Sequence, residues 1–143
     1  MSAPPVLLGV DLAEVSRIEN MIDAHADRFL ERCFTERERA YCDANPKRRA
    51  EHYAARFAAK EAVLKALGTG WSEGIAWTDV EIVRPPDGAP TVELHHAALR
   101  TAEELGVTGW RLSMTHAAGL AVANAIAWIG GCPAGPVGGE SST

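Results

Sequence analysis

The chain has 143 residues, of which 47% are apolar and 23% charged, and its formal net charge at pH 7 is −5. These values are typical of one globular domain, which at this length buries about two-thirds of the surface that the unfolded chain exposes. No apolar run approaches the roughly 20 residues that a membrane-spanning helix needs, and nucleic-acid-binding domains are usually basic. We therefore expect a protein that binds neither membranes nor nucleic acid.

The cysteines and the basic residues are unevenly distributed. Cys33, Cys42 and Cys132 are too widely spaced for a disulfide framework or a zinc site, which predicts a reducing, cytoplasmic location. The window from Arg28 to Lys60 holds nine Lys or Arg and five Asp or Glu, so it carries +4 while the rest of the chain carries −9. Such a window predicts a local anion site, although solvated helix faces explain the charge equally well.

The first predicted element is a β-strand that ends near Asp11. Its residues alternate as in a half-buried strand, with Leu7, Gly9 and Asp11 on one face and larger apolar side chains on the other. The larger side chains are Val6, Leu8, Val10 and Leu12.

Helical patterns follow this strand. Ser16 is a candidate cap for a first helix, and Thr35 with Glu38 forms a capping box for a short second one. The longest pattern, from Arg48 to Leu67, is rich in Ala, Leu, Lys and Glu and ends at Gly68, where a glycine cap is expected.

The second half of the chain is predicted to form two hairpins around one helix. The strands are Trp77–Val83 with Thr91–Leu94 and Arg111–Thr115 with Leu120–Trp128, and the helix is His96–Leu105. This order of elements predicts an α+β fold with a mostly antiparallel sheet and packed helices, in one domain over residues 1–129. Residues 130–143 contain five glycines and two prolines, and we expect a disordered tail without function.

Glu61 is the main anomaly of the longest helix. Phe57, Leu64 and Gly68 define one stripe at helical spacing, and Glu61 lies inside that stripe. A carboxylate on a core-facing stripe is costly unless it is paired or bound to a cation. An ordinary i, i+4 salt bridge from Glu61 to Lys65 would explain the glutamate without any function.

Asp11 is a second carboxylate in an apolar setting, and alone it is equally well explained as a turn or capping aspartate that faces water. Together with Glu61 and the cations Arg56, Lys60 and Lys65 it indicates a different chemistry. Mg²⁺ takes one or two carboxylates and fills its other positions with water and phosphate oxygens, while fixed cations neutralise further phosphate charge. The set therefore predicts a Mg²⁺ and phosphate site with Asp11 and Glu61 as metal ligands.

Two further segments carry weaker signals. Gly68-Thr69-Gly70 begins a glycine-rich stretch whose backbone could approach a phosphate, but the stretch fits neither common nucleotide-binding glycine pattern. Ser113 to His116 ends a predicted strand and brings a hydroxyl and an imidazole to a turn, where they could reach a ligand. A single histidine in such a place is nevertheless more often structural.

Several segments together resemble the holo-acyl-carrier-protein synthase family of short, single-domain 4'-phosphopantetheinyl transferases. They occur in family order between about Leu7 and Ala127. The segments are Gly9-Val10-Asp11-Leu12, Arg17-Ile18, Phe34-Thr35 with Glu38 and Tyr41, Ala55-Arg56-Phe57-Ala58-Ala59-Lys60-Glu61-Ala62, Lys65-Ala66-Leu67-Gly68-Thr69-Gly70 and Leu112-Ser113-Met114-Thr115-His116.

The resemblance implies transfer of the phosphopantetheine arm of coenzyme A to a serine of an apo acyl carrier protein, with release of adenosine 3',5'-bisphosphate. It makes Asp11 and Glu61 Mg²⁺ ligands and, with Lys65, the catalytic group. Either Glu61 or a Mg²⁺-bound water would take the serine proton. The implied coenzyme A contacts are Lys65, Gly68, Thr69, Gly70, Arg56, Lys60, Thr115 and His116, with Arg48 or Arg49 at the 3'-phosphate.

The resemblance also implies two protein partners. The first helix of this family docks the acidic carrier protein, and Arg17, Met21 and Arg28 match that docking face. Ala24 and Asp27 stand where relatives often carry arginine. Family members are typically trimers with active sites at subunit interfaces, which implies a homotrimer here.

Two other interpretations use the same residues. One is a different Mg²⁺-dependent transferase that acts on a nucleotide, and turnover with ATP in place of coenzyme A would indicate it. The other is a non-catalytic trimeric module that binds anions through the basic window, and a Glu61→Ala variant that loses no activity would indicate that module.

Overall fold

The computed structural model describes residues 5–71 and 74–130, which form two antiparallel sheets and four α-helices. The predicted tail lies outside the described residues, apart from Gly130. The elements in chain order are β1 (Val6–Glu14), α1 (Val15–Cys33), α2 (Glu36–Asp43), a 3₁₀ turn (Pro46–Arg48), α3 (Arg49–Leu67), a second 3₁₀ turn (Trp77–Asp79), β2 (Val80–Val83), β3 (Thr91–Leu94), α4 (His96–Leu105), β4 (Val107–Ala117) and β5 (Leu120–Ile129).

The larger sheet has three strands in the order β1-β5-β4, so the chain's first strand pairs with its last. Gly9 lies opposite Ala125 of β5, which in turn lies opposite Leu112 of β4. The smaller sheet is the antiparallel hairpin of β2 and β3. The predicted α+β class with antiparallel pairing is thus confirmed, and β1 and β4 are the two edges of the larger sheet.

Helix α3 packs against one face of the larger sheet through small side chains. A Cβ built on Gly9 would lie 1.9 Å from the Ala62 carbonyl oxygen and 2.8 Å from the Ala66 nitrogen, so only glycine fits there. Four alanines of β5 and six of α3 are buried, namely Ala121, Ala123, Ala125, Ala127, Ala54, Ala55, Ala58, Ala59, Ala62 and Ala66. Small residues on both elements allow the helix and the sheet to approach closely, which brings the side chains at the edges of α3 near those of the strands.

The alternation predicted for β1 is confirmed, but the face buried inside the subunit is the one with the smaller residues. Gly9 and Ala13 face α3 and are buried, with Asp11 half-buried between them. The four larger side chains point away from α3, and between 51% and 64% of each is exposed. Helix α3 therefore packs against the face of β1 on which glycine and alanine permit close contact. The outer face of β1 is left apolar and open.

The predicted local signals match most helix ends. Thr35 and Glu38 form the capping box of α2, and Gly68 ends α3 with φ 81°. Four predictions were inaccurate. Strand β1 continues past Asp11 to Glu14, and β4 begins at Val107 instead of Arg111. Helix α1 begins at Val15 without a side-chain cap, so Ser16 lies inside the helix, and the expected strand from Trp77 starts only at Val80 after a 3₁₀ turn.

Helix α1 is kinked at Ala26, whose φ of 43° and ψ of −125° lie outside the helical region. Alanine rarely adopts a positive φ, and such a conformation costs about 1–3 kcal/mol. The kink lies between the two buried stretches of the helix, Ile18 with Ile22 and Phe29 with Leu30, and lets both reach the core. None of the helices among the described residues is long and apolar enough to cross a membrane.

Candidate active site

Asp11 and Lys65 meet where β1 crosses the C-terminal half of α3. The Lys65 Nζ lies 2.8 Å from the Asp11 Oδ1 and donates a second bond, of 3.1 Å, to the Val10 carbonyl oxygen. The bond to Asp11 raises the pKa of Lys65, so the ammonium stays charged. The half-exposed lysine therefore bridges to the strand, rather than forming the i, i+4 pair with Glu61 that the sequence also allowed.

Glu61 stands one helical turn before Lys65 and is half-buried. Burial raises its pKa, and the negative charge of Asp11 adds to that effect, whereas Trp71, Lys65 and Arg17 oppose it. The two carboxylates are thus close enough to repel each other while they share the field of one lysine. A divalent cation bound between two carboxylates removes their mutual repulsion, and carboxylate oxygens are ligands that Mg²⁺ prefers. Asp11 and Glu61 therefore suit the predicted Mg²⁺ ion.

An aromatic stack borders Glu61. Phe57 stacks on Trp77 with ring centroids 4.7 Å apart, and Trp71 lies against Trp77 at 3.8 Å. The turn of Gly68 and Gly70, both with positive φ, reverses the chain after α3 and brings Trp71 back over this stack. The predicted glycine-rich segment, which includes the half-buried Thr69, therefore lies beside the carboxylates.

A basic cleft of about 220 Å³ lies near the N-terminal half of α3. Its polar and aromatic lining comes from α2, α3, the end of β2 and β4, namely Tyr41, His52, Arg56, Arg84, Thr115 and His116. Arg56 is only 2% exposed and lies over the Tyr41 ring, 3.9 Å from its centroid. Its Nε and Nη2 are buried without a hydrogen-bond partner among the described residues, so the cleft contains a guanidinium that lacks an anion.

His116 and His52 both line this cleft. The His116 Nδ1 lies 3.4 Å from the Glu51 Oε2. Burial lowers the pKa of His52, and the charges of Arg56 and His116 lower it further. Its Nδ1 is also buried without a partner within the described ranges.

The cleft includes residues that the sequence predictions missed. His52 and Arg84 were not predicted as site residues. Arg84 follows β2 just before two prolines, and a basic residue at a strand end beside a turn is a signal that could have found it. His52 offered no such signal, because its neighbours become apparent only once β4 packs beside α3.

Arg48 and Arg49 lie at the start of α3, near the cleft but not in its lining. Arg48 is exposed and lies 3.9 Å from Glu51. Arg49 is held at 2.7 Å by Asp43, and its guanidinium carbon lies 5.4 Å from the Tyr53 ring centroid. Both side chains reach solvent, so a ligand phosphate at this end of the helix is accessible to them.

Lys60 requires a correction, because its side chain does not reach either cluster. The ammonium is completely buried, lies 2.8 Å from Glu38 and also donates to the carbonyl oxygens of Trp77 and Val80. Burial lowers the pKa of Lys60, while Glu38 opposes the shift. Because its N–H donors are already used inside the core, Lys60 links α3 to α2 and to the start of β2. The predicted contact of Lys60 with coenzyme A therefore does not hold.

Helix α1 carries a groove of about 280 Å³ on its outer side. Met21, His25, Arg28, Phe29 and Arg32 line it. Two of the three residues predicted to dock a carrier, Met21 and Arg28, therefore lie together. Arg17, the third, is exposed one helical turn before Met21, close enough to Glu61 to affect its pKa.

Glu81, Glu93 and His95 form another group of potential metal ligands among the described residues, with ligand atoms within 4.8 Å of one another. Arg37 occupies the centre of this group, donating to Glu81 at 2.9 Å and to Glu93 at 2.7 Å. Thr35 and His95 complete the bonds of Glu81. The group is a salt-bridge network that joins α2 to the β2-β3 hairpin, and Arg37 already bonds to both of its carboxylates.

The chain is similar to known proteins in both sequence and fold. A family model described as the 4'-phosphopantetheinyl transferase superfamily matches residues 7–123. The chain is 49% identical over 118 residues to a holo-[acyl-carrier-protein] synthase of Solibacter usitatus, covering 82% of this chain and 94% of that protein. It is 52% identical over 122 residues to the synthase of Desulforudis audaxviator, covering 84% of this chain and 90% of the relative.

Solved structures agree with this result. A Helicobacter pylori holo-[acyl-carrier-protein] synthase in complex with coenzyme A superposes with a TM-score of 0.74 at 28% identity, over 85% of this chain and 99% of that one. A Bacillus anthracis synthase, solved in complex with CoA (3',5'-ADP), gives a TM-score of 0.72 at 32% identity, over 90% and 100% of the two chains.

Proposed function

The chain belongs to the 4'-phosphopantetheinyl transferase superfamily and is a holo-[acyl-carrier-protein] synthase, and we propose which role each of its site residues has in the reaction. The enzyme transfers the 4'-phosphopantetheine group of coenzyme A to a serine of apo acyl carrier protein. The observation that carries the assignment of residues is the bond between Asp11 and Lys65 at the junction of β1 and α3, with Glu61 one helical turn before Lys65 and near enough for the charge of Asp11 to raise its pKa.

Asp11 and Glu61 hold Mg²⁺, and Lys65 stays beside them as a fixed cation. The raised pKa of Lys65 and the repulsion between the two carboxylates both support this assignment. When bound, the metal supplies Lewis-acid stabilisation of the negative charge that develops on the pyrophosphate. Lys65 adds a charge that needs no reorganisation during the reaction, because its bond to Asp11 already orients it. The Gly68-Thr69-Gly70 turn offers backbone beside the same phosphates.

The basic cleft binds the phosphates on the adenosine side of coenzyme A. The unpartnered nitrogens of Arg56, the exposed Arg84 and the polar groups of Thr115 and His116 converge there. A phosphate satisfies a buried guanidinium by charge-assisted, bidentate bonds. Arg48 and Arg49 extend the positive surface towards the 3'-phosphate.

The active site is shared between subunits of a homotrimer. Along α3, Glu61 follows the cleft residue His52 by nine residues, a rise of about 14 Å, so the carboxylates and the basic cleft lie near different halves of the helix. They also lie at opposite edges of the sheet, since Asp11 is on β1 and His116 on β4, with β5 between them. The exposed apolar face of β1 supports a subunit contact that brings the cleft of one subunit near the carboxylates of the next.

The acidic acyl carrier protein docks on α1 through Arg17, Met21 and Arg28. The groove beside these residues combines apolar side chains with arginines, which suits an acidic helix that has an apolar stripe. Arg17 connects this surface with the metal ligands, since its charge acts on Glu61. A docked carrier would therefore have its serine close to the carboxylate pair.

The cytoplasm is the proposed location. Cys33 and Cys42 are free, buried thiols, and burial raises their pKa values to about 11 and about 12. Thiols that remain protonated are consistent with a reducing compartment.

Intact mass spectrometry tests the proposed division of labour. The full-length protein is incubated with an apo acyl carrier protein, coenzyme A and Mg²⁺, and we expect the carrier to gain one phosphopantetheine. Glu61→Gln and removal of the metal with EDTA should each reduce the rate by at least about a hundredfold, as expected when a charge-stabilising group is lost.

Glu93→Gln is the matched control, because it removes a carboxylate from the Arg37 network and should retain the rate. Full activity of Glu61→Gln, or of the protein in EDTA, would contradict the metal assignment. Mass gain with no dependence on coenzyme A, or turnover of ATP instead, would favour a different nucleotide transferase. A folded protein that modifies no carrier would favour the anion-binding module.

A further inference from the structure

Arg56 is a cation in the wall of the basic cleft, and two of its guanidinium nitrogens have no hydrogen-bond partner among the described residues. Arg56 is almost completely buried, and the unpartnered atoms are Nε and Nη2. A buried charge is costly when nothing replaces the water that would solvate it. A contact that stabilises this charge is therefore expected in the free protein.

The ring of Tyr41 provides that contact. Tyr41 lies on α2 and Arg56 on α3, and the guanidinium carbon lies over the ring at 3.9 Å from its centroid. The quadrupole of an aromatic face attracts a cation, and the attraction is stronger when the pair is removed from water. Neither Nε nor Nη2 of Arg56 is bonded in this arrangement. The contact therefore stabilises the charge while both N–H donors stay free for a ligand.

A carboxylate would have held the guanidinium in a different way. Asp43 holds Arg49 at 2.7 Å, and such a partner takes up N–H donors. It would also add a negative charge to a cleft that we assign to phosphate, and that charge would weaken phosphate binding. An aromatic ring carries no net charge. Because Tyr41 and Arg56 both line the cleft, the ring lets the cleft keep the positive charge of the arginine.

We propose that Tyr41 is a positioning residue that holds the guanidinium of Arg56, with its charge not neutralised, in place for a phosphate of coenzyme A. This rests on the proposed function of the cleft and adds to it a residue that acts through Arg56. The ring of Tyr41 is itself packed in the cleft wall, because it lies 5.2 Å from the ring of His52.

The steady-state KM for coenzyme A tests this proposal through the electronic character of the ring. Tyr41→Phe keeps an aromatic face, so we expect its KM to stay within about twofold of the wild type. Site-specific incorporation of a pentafluorophenyl ring at this position keeps a similar shape but reverses the quadrupole. We expect it to raise the KM about tenfold, which is about 1.4 kcal/mol and typical of a buried cation–π contact. Equal KM values for the phenyl and pentafluorophenyl rings would overturn the proposal.

Tyr41→Leu separates positioning from a general loss of structure. The variant removes the ring but keeps an apolar cover, and the KM for coenzyme A should again rise about tenfold. We expect kcat and the KM for the carrier protein to stay within about twofold, because the carrier docks elsewhere and the lost binding is uniform along the reaction. A parallel rise in the carrier KM would contradict the positioning role. If Tyr41→Leu does not fold, the comparison of the two aromatic rings still decides.

An Arg56→Ala background distinguishes failure of this proposal from failure of the proposed function of the cleft. We expect Arg56→Ala to raise the KM for coenzyme A, and the addition of Tyr41→Leu to raise it no further, since the residue through which Tyr41 acts is gone. A further tenfold rise would overturn the role of Tyr41 alone. A wild-type KM in Arg56→Ala would overturn the function of the cleft, and the role of Tyr41 with it.

Discussion

The pKa values of two glutamates in this protein, Glu81 and Glu61, are shifted in opposite directions. Although burial raises the pKa of Glu81, hydrogen bonds from Arg37, Thr35 and His95 lower it to about 2. Burial also raises the pKa of Glu61, and there the nearby Asp11 adds to the rise. Hydrogen-bond donors surround the carboxylate of Glu81 and offset the cost of its burial, whereas the carboxylate of Glu61 lies near a second carboxylate, that of Asp11. Uncompensated carboxylates are a mark of functional sites, and compensated ones of structural networks.

Glu81→Gln should destabilise the protein at neutral pH but not at low pH. A carboxylate with a lowered pKa stabilises the fold above its ordinary pKa of 4.5, and this contribution disappears as the pH falls towards about 2. We expect urea unfolding to show a loss of about 3 kcal/mol at pH 7, which shrinks between pH 4.5 and pH 2.

Glu93→Gln is the control for this experiment, because Glu93 is 46% exposed at its side chain and bonds to the same Arg37. Its loss should cost less than about 1 kcal/mol. An equal loss at all pH values in Glu81→Gln would contradict the assignment of a charged, hydrogen-bonded Glu81.

Arg17→Glu should weaken carrier recognition more than coenzyme A binding. The exposed guanidinium lies on the side of α1 that we assign to an acidic partner, so charge reversal replaces attraction with repulsion. We expect the KM for the carrier to rise at least about tenfold, with the KM for coenzyme A within about twofold. Arg100→Glu, an exposed reversal on α4, serves as the control. An unchanged carrier KM would exclude Arg17 from the docking surface.

At the scale of elements, the approach of α3 to the sheet brings the proposed catalytic residues together. Gly9 allows the helix to lie directly on β1, and Asp11, two residues later on the same face, reaches Lys65. Larger side chains between α3 and β1 would move the carboxylates of Asp11 and Glu61 apart. The small residues of this chain are thus as important for the site as its charged ones.

Gly9→Ala should be strongly destabilising. The added methyl group would lie 1.9 Å from a backbone oxygen of α3, and backbone atoms of a packed helix cannot move aside as a side chain can. We expect a loss of about 3 kcal/mol or more in the free energy of unfolding, measured by urea titration.

Gly109→Ala is the matched substitution in the same sheet, where the nearest atom, Trp128 Cε3, would be 4.0 Å from the new Cβ. It should cost less than about 1 kcal/mol. Equal losses in the two variants would show that the close approach of α3 at Gly9 does not matter for stability.

At the scale of the whole molecule, β1 and part of β5 form an apolar patch on the outer face of the larger sheet, whereas β4 presents Arg111, Ser113 and Thr115 on that face. Val6, Leu8, Val10 and Leu12 are all more than half exposed, and Val122 and Ile126 of β5 lie directly opposite two of them. A monomer that exposed such a patch would be prone to association. The same patch therefore explains both why the strand alternates and why its larger residues are not in the subunit core.

Leu8→Glu should dissociate the proposed trimer and reduce activity with it. A charged side chain on the 64% exposed Leu8 would be buried without a partner in the subunit contact. We expect sedimentation to show monomers at micromolar concentration and the rate of carrier modification to fall at least about tenfold, because the shared sites separate. Leu99→Glu on α4, exposed to 40%, should leave both unchanged. A trimeric variant, or a fully active monomer, would contradict the shared site.

Features that depend on neighbours in the chain were predictable from the sequence. The capping box at Thr35, the glycine cap at Gly68 and the period of α3 are local, because hydrogen bonds within a few residues create them. Strand alternation is equally local. The helix that bears Glu61 and the strand that bears Asp11 were therefore identified before any tertiary contact was known.

Tertiary structure decided which faces these elements bury and which partners their charges meet. A period of two defines two faces of β1 but not which one meets the helix, and only the close contact at Gly9 makes the choice. Likewise, Lys65 had Glu61 as a local partner but bonds to Asp11, and Lys60 lies in the core with Glu38. The sequence specifies the chemical identity of a charged side chain, but its surroundings depend on residues that are distant in the chain. Those surroundings determine whether the side chain binds a ligand or stabilises the fold.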